Sequence, residues 1–235
     1  MNSQRLTFRR SREKLLLVLI GWVMIQAWGA IPSPERQALI DLYLATGGDG
    51  WVHNGNWRLP GDPAQFNAPG TENTWFGVAT NEGNTTVEGL FLNYNNLTGS
   101  IPDSLGSLAN LKTLSLTGSP LGGVIPGSLG ALASLEGLYL AGNRLSGPLP
   151  PELGQLTRLQ VLELSMNGQL SGEIPQEWRT LTELRILDLY RNKLEGAIPA
   201  WLGDLHRLET LNLYINSFTG PIPDSFRNLT NLRSL

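Results

Sequence analysis

The chain has 235 residues, no cysteine, two histidines and a formal net charge of −3. Without cysteine it has no disulfide, no thiolate zinc site and no cysteine nucleophile, so a folded domain must be held together by packing alone. After residue 30 the sequence holds 12 basic and 19 acidic residues, a net charge of −7, which is the wrong sign for a nucleic-acid-binding protein.

Residues 1–30 read as a segment apart from the folded domain. Five basic residues precede the apolar run 15–25, and the small residues Ala27, Gly29 and Ala30 follow it. This order is typical of a secretory signal peptide, and the run is shorter than the roughly 20 residues of a membrane span. An uncleaved amino-terminal anchor is the alternative interpretation. We expect export to remove the leader near Gly29 or Ala30.

Residues 31–86 have no repeat period and are predicted to form an amino-terminal cap. The sequence predicts a helix with Ser33 as its N-cap, Pro34 in its first turn and Gly47-Gly48 as its stop. The predicted apolar face of this helix is Ala38, Leu39, Leu42 and Tyr43.

Three of the seven tryptophans follow that helix, at Trp51, Trp57 and Trp75. A cluster of this kind suits a plug that covers the open end of a repeat domain, with its polar side outward. An exposed sugar-binding platform is the alternative interpretation. The segment 59–73 is interpreted as a loop inserted within the cap.

From residue 87 onward, a unit of 24 residues recurs in register. One unit has 25 residues, with its extra residue near Gly168. Positions 4 and 6 carry leucines at strand spacing, so positions 3, 5 and 7 face the other way. One unit cannot bury its leucines alone, and the units must stack into a solenoid with a parallel sheet. Six complete repeats begin at Val87, Leu111, Leu135, Leu159, Leu184 and Leu208, and a seventh begins at Leu232.

Three further features of the repeat have a physical explanation. An amide at position 9 can pair with backbone groups that lose their ladder partners at the turn after the strand. The glycine and proline that follow suit a turn with positive φ and an extended exit into a short helical return, whose leucines near positions 19 and 22 face inward. The predicted asparagine ladder is Asn95, Asn143, Asn167, Asn192 and Asn216, with Ser119 in the second repeat.

The pattern LxxLxLxxNxLxGxIPxxLGxL in residues 87–235 resembles the plant-type extracellular leucine-rich repeat family. The stretch NTWFGVAT resembles the family's cap motif Cys-x-Trp-x-Gly-Val-x-Cys, with Asn73 and Thr80 in place of the cysteines. The cap as a whole resembles those of cysteine-free relatives outside the plant receptors. The resemblance implies an α/β solenoid, a right-handed leucine-rich repeat superhelix with a concave parallel β-sheet and an N-terminal helical cap.

The same resemblance implies recognition of a protein, peptide or glycan on the concave face. Four of the five tyrosines lie on or beside the outward-facing strand positions, where exposed aromatics are typical of recognition surfaces, although tyrosine also suits strands. Tyr190 and Tyr214 share position 7 of adjacent repeats. The predicted ligand-binding residues are Tyr139, Glu163, Arg185, Asp188, Tyr190, Arg191 and Tyr214.

The sequence carries no recognisable catalytic or cofactor motif, and His53 and His206 are too far apart along the solenoid to share a site. We therefore expect no enzymatic activity, no cofactor and no metal. Asn84, Asn96 and Asn228 begin glycosylation sequons that we expect to be exposed, and that would carry glycans in a eukaryotic secretory pathway.

The leading interpretation is a recognition protein that is secreted or lies on the extracellular side of the cell surface, with no nucleic-acid partner. Membrane contact would come only through an uncleaved leader or a part beyond Leu235. The alternatives are an inhibitor of a carbohydrate-active enzyme and the ectodomain of a receptor kinase. Some members of the family that the sequence resembles are such inhibitors, and many are such ectodomains. The seventh repeat stops after four residues, so we expect the natural product to continue or its apolar end to pair with a partner.

Overall fold

A single α-helix, α1 (Ser33–Ala45), opens the computed structural model, which describes residues 30–234. The predicted signal peptide therefore lies outside the described residues, apart from its last residue. The predicted N-cap is wrong by one residue, because Pro32 holds that place and its carbonyl accepts the Arg36 amide at 3.0 Å. The helix ends before Gly47, whose φ of 68° needs glycine's freedom. The predicted apolar face is buried.

The three cap tryptophans are buried in one aromatic cluster, as a plug requires. The Trp57 ring lies 5.5 Å from Tyr43, 5.2 Å from Trp51 and 4.9 Å from Trp75, centroid to centroid. Each indole N–H donates to an oxygen of the cap, so the cluster leaves no indole unpaired. Because all three side chains are at most 5% exposed, they do not form a sugar-binding platform on the surface.

The segment 59–73 has more structure than the predicted loop. Strands β1 (Arg58–Leu59) and β2 (Asp62–Phe66) pair as a short antiparallel hairpin. Phe66 packs edge-on against Tyr43 at 5.3 Å, which ties the hairpin to the aromatic cluster. A 3₁₀ helix, Glu72–Thr74, follows and buries Glu72 against Arg36.

The main sheet has seven strands and carries the surface of interest. Six of them are parallel, as predicted, and each comes from the first residues of one repeat. The seventh was not predicted: the cap strand β3 (Val78–Thr80) pairs antiparallel with the first repeat and covers that edge of the sheet. The parallel strands are β4 (Val87–Phe91), β5 (Thr113–Ser115), β6 (Gly137–Tyr139), β8 (Val161–Glu163), β10 (Ile186–Asp188) and β12 (Thr210–Asn212).

A second parallel sheet forms where the sequence predicts only turns. Three of its strands contain the repeat glycine, which at Gly147 has a φ of 79°, and in the fourth strand that glycine follows directly. Backbones of neighbouring repeats pair there because glycine and its small neighbours let them approach. The strands are β7 (Ser146–Pro148), β9 (Gln169–Gly172), β11 (Lys193–Ala197) and β13 (Ser217–Thr219).

The predicted helical returns are single 3₁₀ helices that follow the prolines. Their leucines, such as Leu105 and Leu108, close the core opposite the main sheet and are fully buried. The returns are Asp103–Ser107, Gly127–Ala131, Pro151–Gln155, Gln176–Thr180, Ala200–Asp204 and Asp224–Asn228.

The asparagine ladder forms in four of its five predicted members. Asn167, for example, donates to the carbonyls of Leu140 and Leu164 and accepts the Leu145 amide at 3.1 Å. Asn143, Asn192 and Asn216 bond the backbone of adjacent repeats in the same way.

The first two repeats depart from this ladder. Asn95 instead bonds the backbone of His53 in both directions, at 2.6 and 2.8 Å, and so fastens the cap to the first repeat. The buried Ser119 hydroxyl has no partner within the described residues, because a serine is too short to reach the carbonyls that an asparagine amide reaches.

Candidate functional site

The strand positions that face away from the core place two tyrosines side by side. The Tyr190 and Tyr214 rings are 6.0 Å apart, centroid to centroid, with 15° between their planes. Tyr190 is half-buried, and Tyr214 is 73% exposed. These residues follow β10 and β12, which pair in register, and that pairing sets the rings face to face. An exposed stacked pair of this kind offers a large, rigid contact surface.

The two predicted arginines differ in their relation to this tyrosine pair. Arg191 directly follows Tyr190 and is exposed, with a left-handed φ of 54°. Arg185 precedes β10, at the opposite end of the strand from Tyr190. Its Nε donates to the Glu209 carboxylate at 2.7 Å, and this hydrogen bond is the main reason that the pKa of Glu209 is lowered. Arg185 therefore belongs to a row of charged residues at the start of the strands, and not to the surface beside Tyr190.

The predicted acidic residues, Glu163 and Asp188, are direct cross-strand neighbours on β8 and β10. Burial, and secondarily the charge of Asp188, raises the pKa of the Glu163 carboxyl. Asp188 accepts the Tyr190 backbone amide at 3.1 Å. Within residues 30–234, neither carboxylate lies within ion-pair distance of a basic side chain.

Tyr139 lies in register with Glu163 on the neighbouring strand β6, toward the cap. Its ring lies over Gly137, where a Cβ added to the glycine would come within 2.6 Å of the ring. Phe91 covers Gly89 in the same manner two strands away. Burial, and then the charge of Glu163, raises the pKa of Tyr139. The predicted residues thus extend along the sheet from Tyr139 to Tyr214.

A hollow of about 530 Å³ lies beside Tyr139 on the same face. Sequence reasoning missed it, because Phe91 and Tyr94 were not recognised as its walls. The signal was present in the tripeptides Gly-Leu-Phe of the first repeat and Gly-Leu-Tyr of the third. In each of them the glycine leaves room for the aromatic ring two residues later to lie flat on the sheet. The hollow is lined by Phe91, Asn93, Tyr94, Thr113, Ser115, Thr117, Tyr139 and Glu163.

The predicted glycosylation sites are not equally accessible. Asn96 and Asn228 are exposed. Asn84 is half-buried, its side-chain nitrogen donates to the Gly70 carbonyl at 2.9 Å, and its side-chain oxygen is buried. The expectation that all three are exposed therefore fails at Asn84, because that side chain is part of the turn before β4.

Metal binding and membrane insertion are two other functions that residues 30–234 bear on. No group of three or more histidine, aspartate or glutamate side chains in this range is placed to hold a metal ion. No helix in the described part of the chain is both long and apolar enough to cross a membrane.

The chain belongs to the leucine-rich repeat family. The family described as "Leucine-rich repeat region" matches residues 90–235, which is more than half of the sequence. No curated protein matches the chain.

Solved structures of leucine-rich repeat ectodomains share the fold. The Arabidopsis receptor kinase HAESA, in complex with the peptide hormone IDA and the co-receptor SERK1, is 29% identical with a TM-score of 0.75. The match covers 87% of this chain and 33% of HAESA. PEPR1, solved with AtPEP1, is 29% identical with a TM-score of 0.73, over 86% of this chain and 27% of that one. This chain thus spans about a third or less of these ectodomains.

A plant ice-binding protein is also similar, at 32% identity and a TM-score of 0.72. The match covers 84% of this chain and 60% of the ice-binding protein. One fold therefore serves proteins of different function, and the function of this chain has to be argued from its own surface.

Proposed function

We propose that this chain is a non-catalytic recognition module that binds a peptide or a segment of a protein on its concave sheet, with glycans as the other ligand class. The observation that carries the proposal is the stacked pair formed by the half-buried Tyr190 and the exposed Tyr214. Aromatic side chains of this kind supply most of the binding energy at many interfaces. That PEPR1 and HAESA were solved with AtPEP1 and a peptide hormone supports a peptide ligand.

The proposed setting is the extracellular space or the outer surface of a cell. The basic, apolar and small residues of segment 1–30 support a cleaved leader. Amino-terminal sequencing of exported protein should find a start near residue 30 or 31. An exported chain that still begins with Met1 would instead favour the membrane anchor. We further propose that Asn96 and Asn228 carry glycans in a eukaryotic host, since both are exposed.

A binding screen separates this function from the alternatives. The purified protein is presented with a random peptide library, a glycan array and a panel of secreted carbohydrate-active enzymes. We expect saturable binding of peptides. Loss of an enzyme's activity on titration would favour the inhibitor instead, and the absence of saturable binding in all three panels would contradict the proposal. A longer coding sequence with a membrane span and a kinase beyond Leu235 would identify a receptor ectodomain.

A further inference from the structure

The hollow beside Tyr139 is lined by a carboxylate, that of Glu163, whose negative charge is not neutralised by a neighbouring basic residue in the described part of the chain. At positions 3, 5 and 7 of the six complete repeats, the only charged residues are Glu163 and Asp188. They oppose each other across neighbouring strands, an arrangement that normally destabilises a sheet. At position 2 of the same repeats, by contrast, Glu88 pairs with Lys112 at 3.0 Å, and Arg185 pairs with Glu209.

Aromatic rings form the walls of the hollow. Phe91 and Tyr139 lie at equivalent positions on either side of Ser115, with the three residues in register on β4, β5 and β6. The ring of Tyr94, which is 73% exposed, lies over Gly118 at the end of the hollow. The faces of aromatic rings carry partial negative charge and attract cations. The walls and the Glu163 carboxylate thus both favour a positively charged ligand.

Three polar groups on the floor are engaged with each other. The Asn93 side-chain oxygen accepts the Ser115 hydroxyl at 2.7 Å and the Thr117 amide at 2.8 Å. A sugar needs several free donors and acceptors around it, and the floor has lost three of these groups to internal bonds. The Glu163 carboxylate, by contrast, has no ion-pair partner within the described range.

The backbone at Tyr94 has the left-handed conformation that position 8 has in all six complete repeats, where Met166, Arg191 and Ile215 are the other residues with a Cβ. This residue has a left-handed φ of 52°, which is unfavourable for any residue with a Cβ. The second and third repeats place Gly118 and Gly142 at the same repeat position, with φ of 73° and 67°. A glycine would therefore be accommodated more easily than the tyrosine at this position.

We propose that the hollow is a subsite for a cationic side chain, foremost arginine, of the peptide that binds the concave sheet. The guanidinium would lie against the rings of Phe91, Tyr94 and Tyr139, with Glu163 as its counter-ion. Arginine fits better than lysine because its planar group stacks on rings and bonds a carboxylate through two nitrogens. This inference rests on the proposed function, since it assumes a peptide on this face.

The position of the subsite sets a spacing within the peptide. From β5, at the centre of the hollow, to the strands of Tyr190 and Tyr214 is three to four strand spacings, or roughly 14–19 Å. An extended peptide covers that distance in about five residues. Peptides selected on this protein should therefore carry a basic residue about five positions from an apolar or aromatic one.

The test uses single-residue probes and the ¹⁵N-labelled protein. Nα-acetyl-arginine methylamide should shift the amide signals of Thr113, Ser115 and Glu163 saturably, with a Kd on the order of millimolar for so small a ligand. The citrulline analogue, which is neutral and has nearly the same shape, should bind at least roughly tenfold more weakly. Equal binding of the two analogues, or the absence of saturable shifts, would overturn the inference.

Matched variants distinguish a loss of arginine binding from a loss of folding. Tyr94→Gly and Glu163→Gln should each weaken arginine binding several-fold. Tyr94→Gly keeps a backbone that glycine prefers, so its melting temperature should not fall. Met166→Gly makes the same kind of change at the same repeat position, and Glu136→Gln removes the same charge at an exposed position. Both should bind as the wild type does, and losses as large as those of the test variants would contradict the proposal.

Two further outcomes are informative. If cellobiose shifts the same amides and the arginine probe does not, the hollow takes a sugar and the inference is wrong. If selected peptides bind through Tyr190 and Tyr214 but show no basic residue, the subsite fails while the proposed function stands.

Discussion

At the scale of single residues, Glu163 lies at a position on the concave sheet where its charge destabilises the fold. Its carboxylate faces Asp188 from the next strand and Tyr139 from the previous one, and no basic side chain within residues 30–234 pairs with it. Burial, and secondarily the charge of Asp188, raises the pKa of Glu163, which means that the folded state disfavours its ionisation. The sequence predicted Glu163 as a site residue, but not that Asp188 would be its direct neighbour without a counter-ion.

Glu163→Gln should stabilise the fold at neutral pH. Above the raised folded-state pKa, both states of the wild type are ionised, and only the folded state carries the cost of burying the charge and, secondarily, the repulsion by Asp188. We therefore expect a gain of about 0.2–1 kcal/mol in the free energy of unfolding. As the pH falls through that pKa toward the ordinary value of 4.5, protonation relieves the wild type and the gain disappears. Urea unfolding at several pH values measures it.

The control for this measurement is Glu136→Gln, which should stay within about 0.5 kcal/mol of the wild type. A Glu163→Gln variant that is less stable than the wild type at neutral pH would show that the carboxylate has a stabilising partner and would contradict this account.

Among the elements, the cap shows what sequence patterns can and cannot predict. Helix α1 and the burial of Trp57 follow from spacing and composition, because amphipathic periodicity and tryptophan-rich segments are local signals. Strand β3 and the β1–β2 hairpin were missed, because their pairing depends on partners that the chain brings together only in three dimensions. The second sheet was missed for the same reason, since its strands consist largely of small residues with no alternating pattern.

The cap cluster predicts a large effect for Trp57→Ala. The side chain is fully buried among three aromatic rings, and its loss leaves a cavity and an unpaired Phe76 carbonyl. We expect a loss of about 3–5 kcal/mol, seen as a lower denaturant midpoint. Phe76→Ala, which removes a ring that is 40% exposed from the same cap, should cost less than about 1 kcal/mol. Similar losses in the two variants would show that Trp57 does not anchor the plug.

On the scale of the whole molecule, the sequence predicted the solenoid well, whereas the geometry of the candidate site could be predicted only in part. The repeat period is a strong signal, since six copies in register fix which residues face inward. The surface depends instead on which exposed residues become neighbours across strands. Tyr190 and Tyr214 were predicted to be adjacent and are stacked, whereas Arg185 pairs with Glu209 at the start of the strands. The hollow beside Tyr139 required knowledge of how rings lie over glycines.

The central claim is that the concave sheet binds its ligand through the tyrosine pair. The most direct test is the Kd of a peptide selected in the binding screen, measured by calorimetry on the wild type and on the Tyr190→Ala/Tyr214→Ala variant. Leu44→Ala serves as the control, because it removes an exposed apolar side chain from α1, away from this sheet.

We predict that the double variant keeps the circular dichroism spectrum of the wild type and binds the peptide at least roughly thirtyfold more weakly, since the truncation of even one aromatic anchor commonly costs about 2 kcal/mol. Leu44→Ala should bind as the wild type does. An unchanged Kd for the double variant, with an unchanged spectrum, would contradict the placement of the binding site on this face.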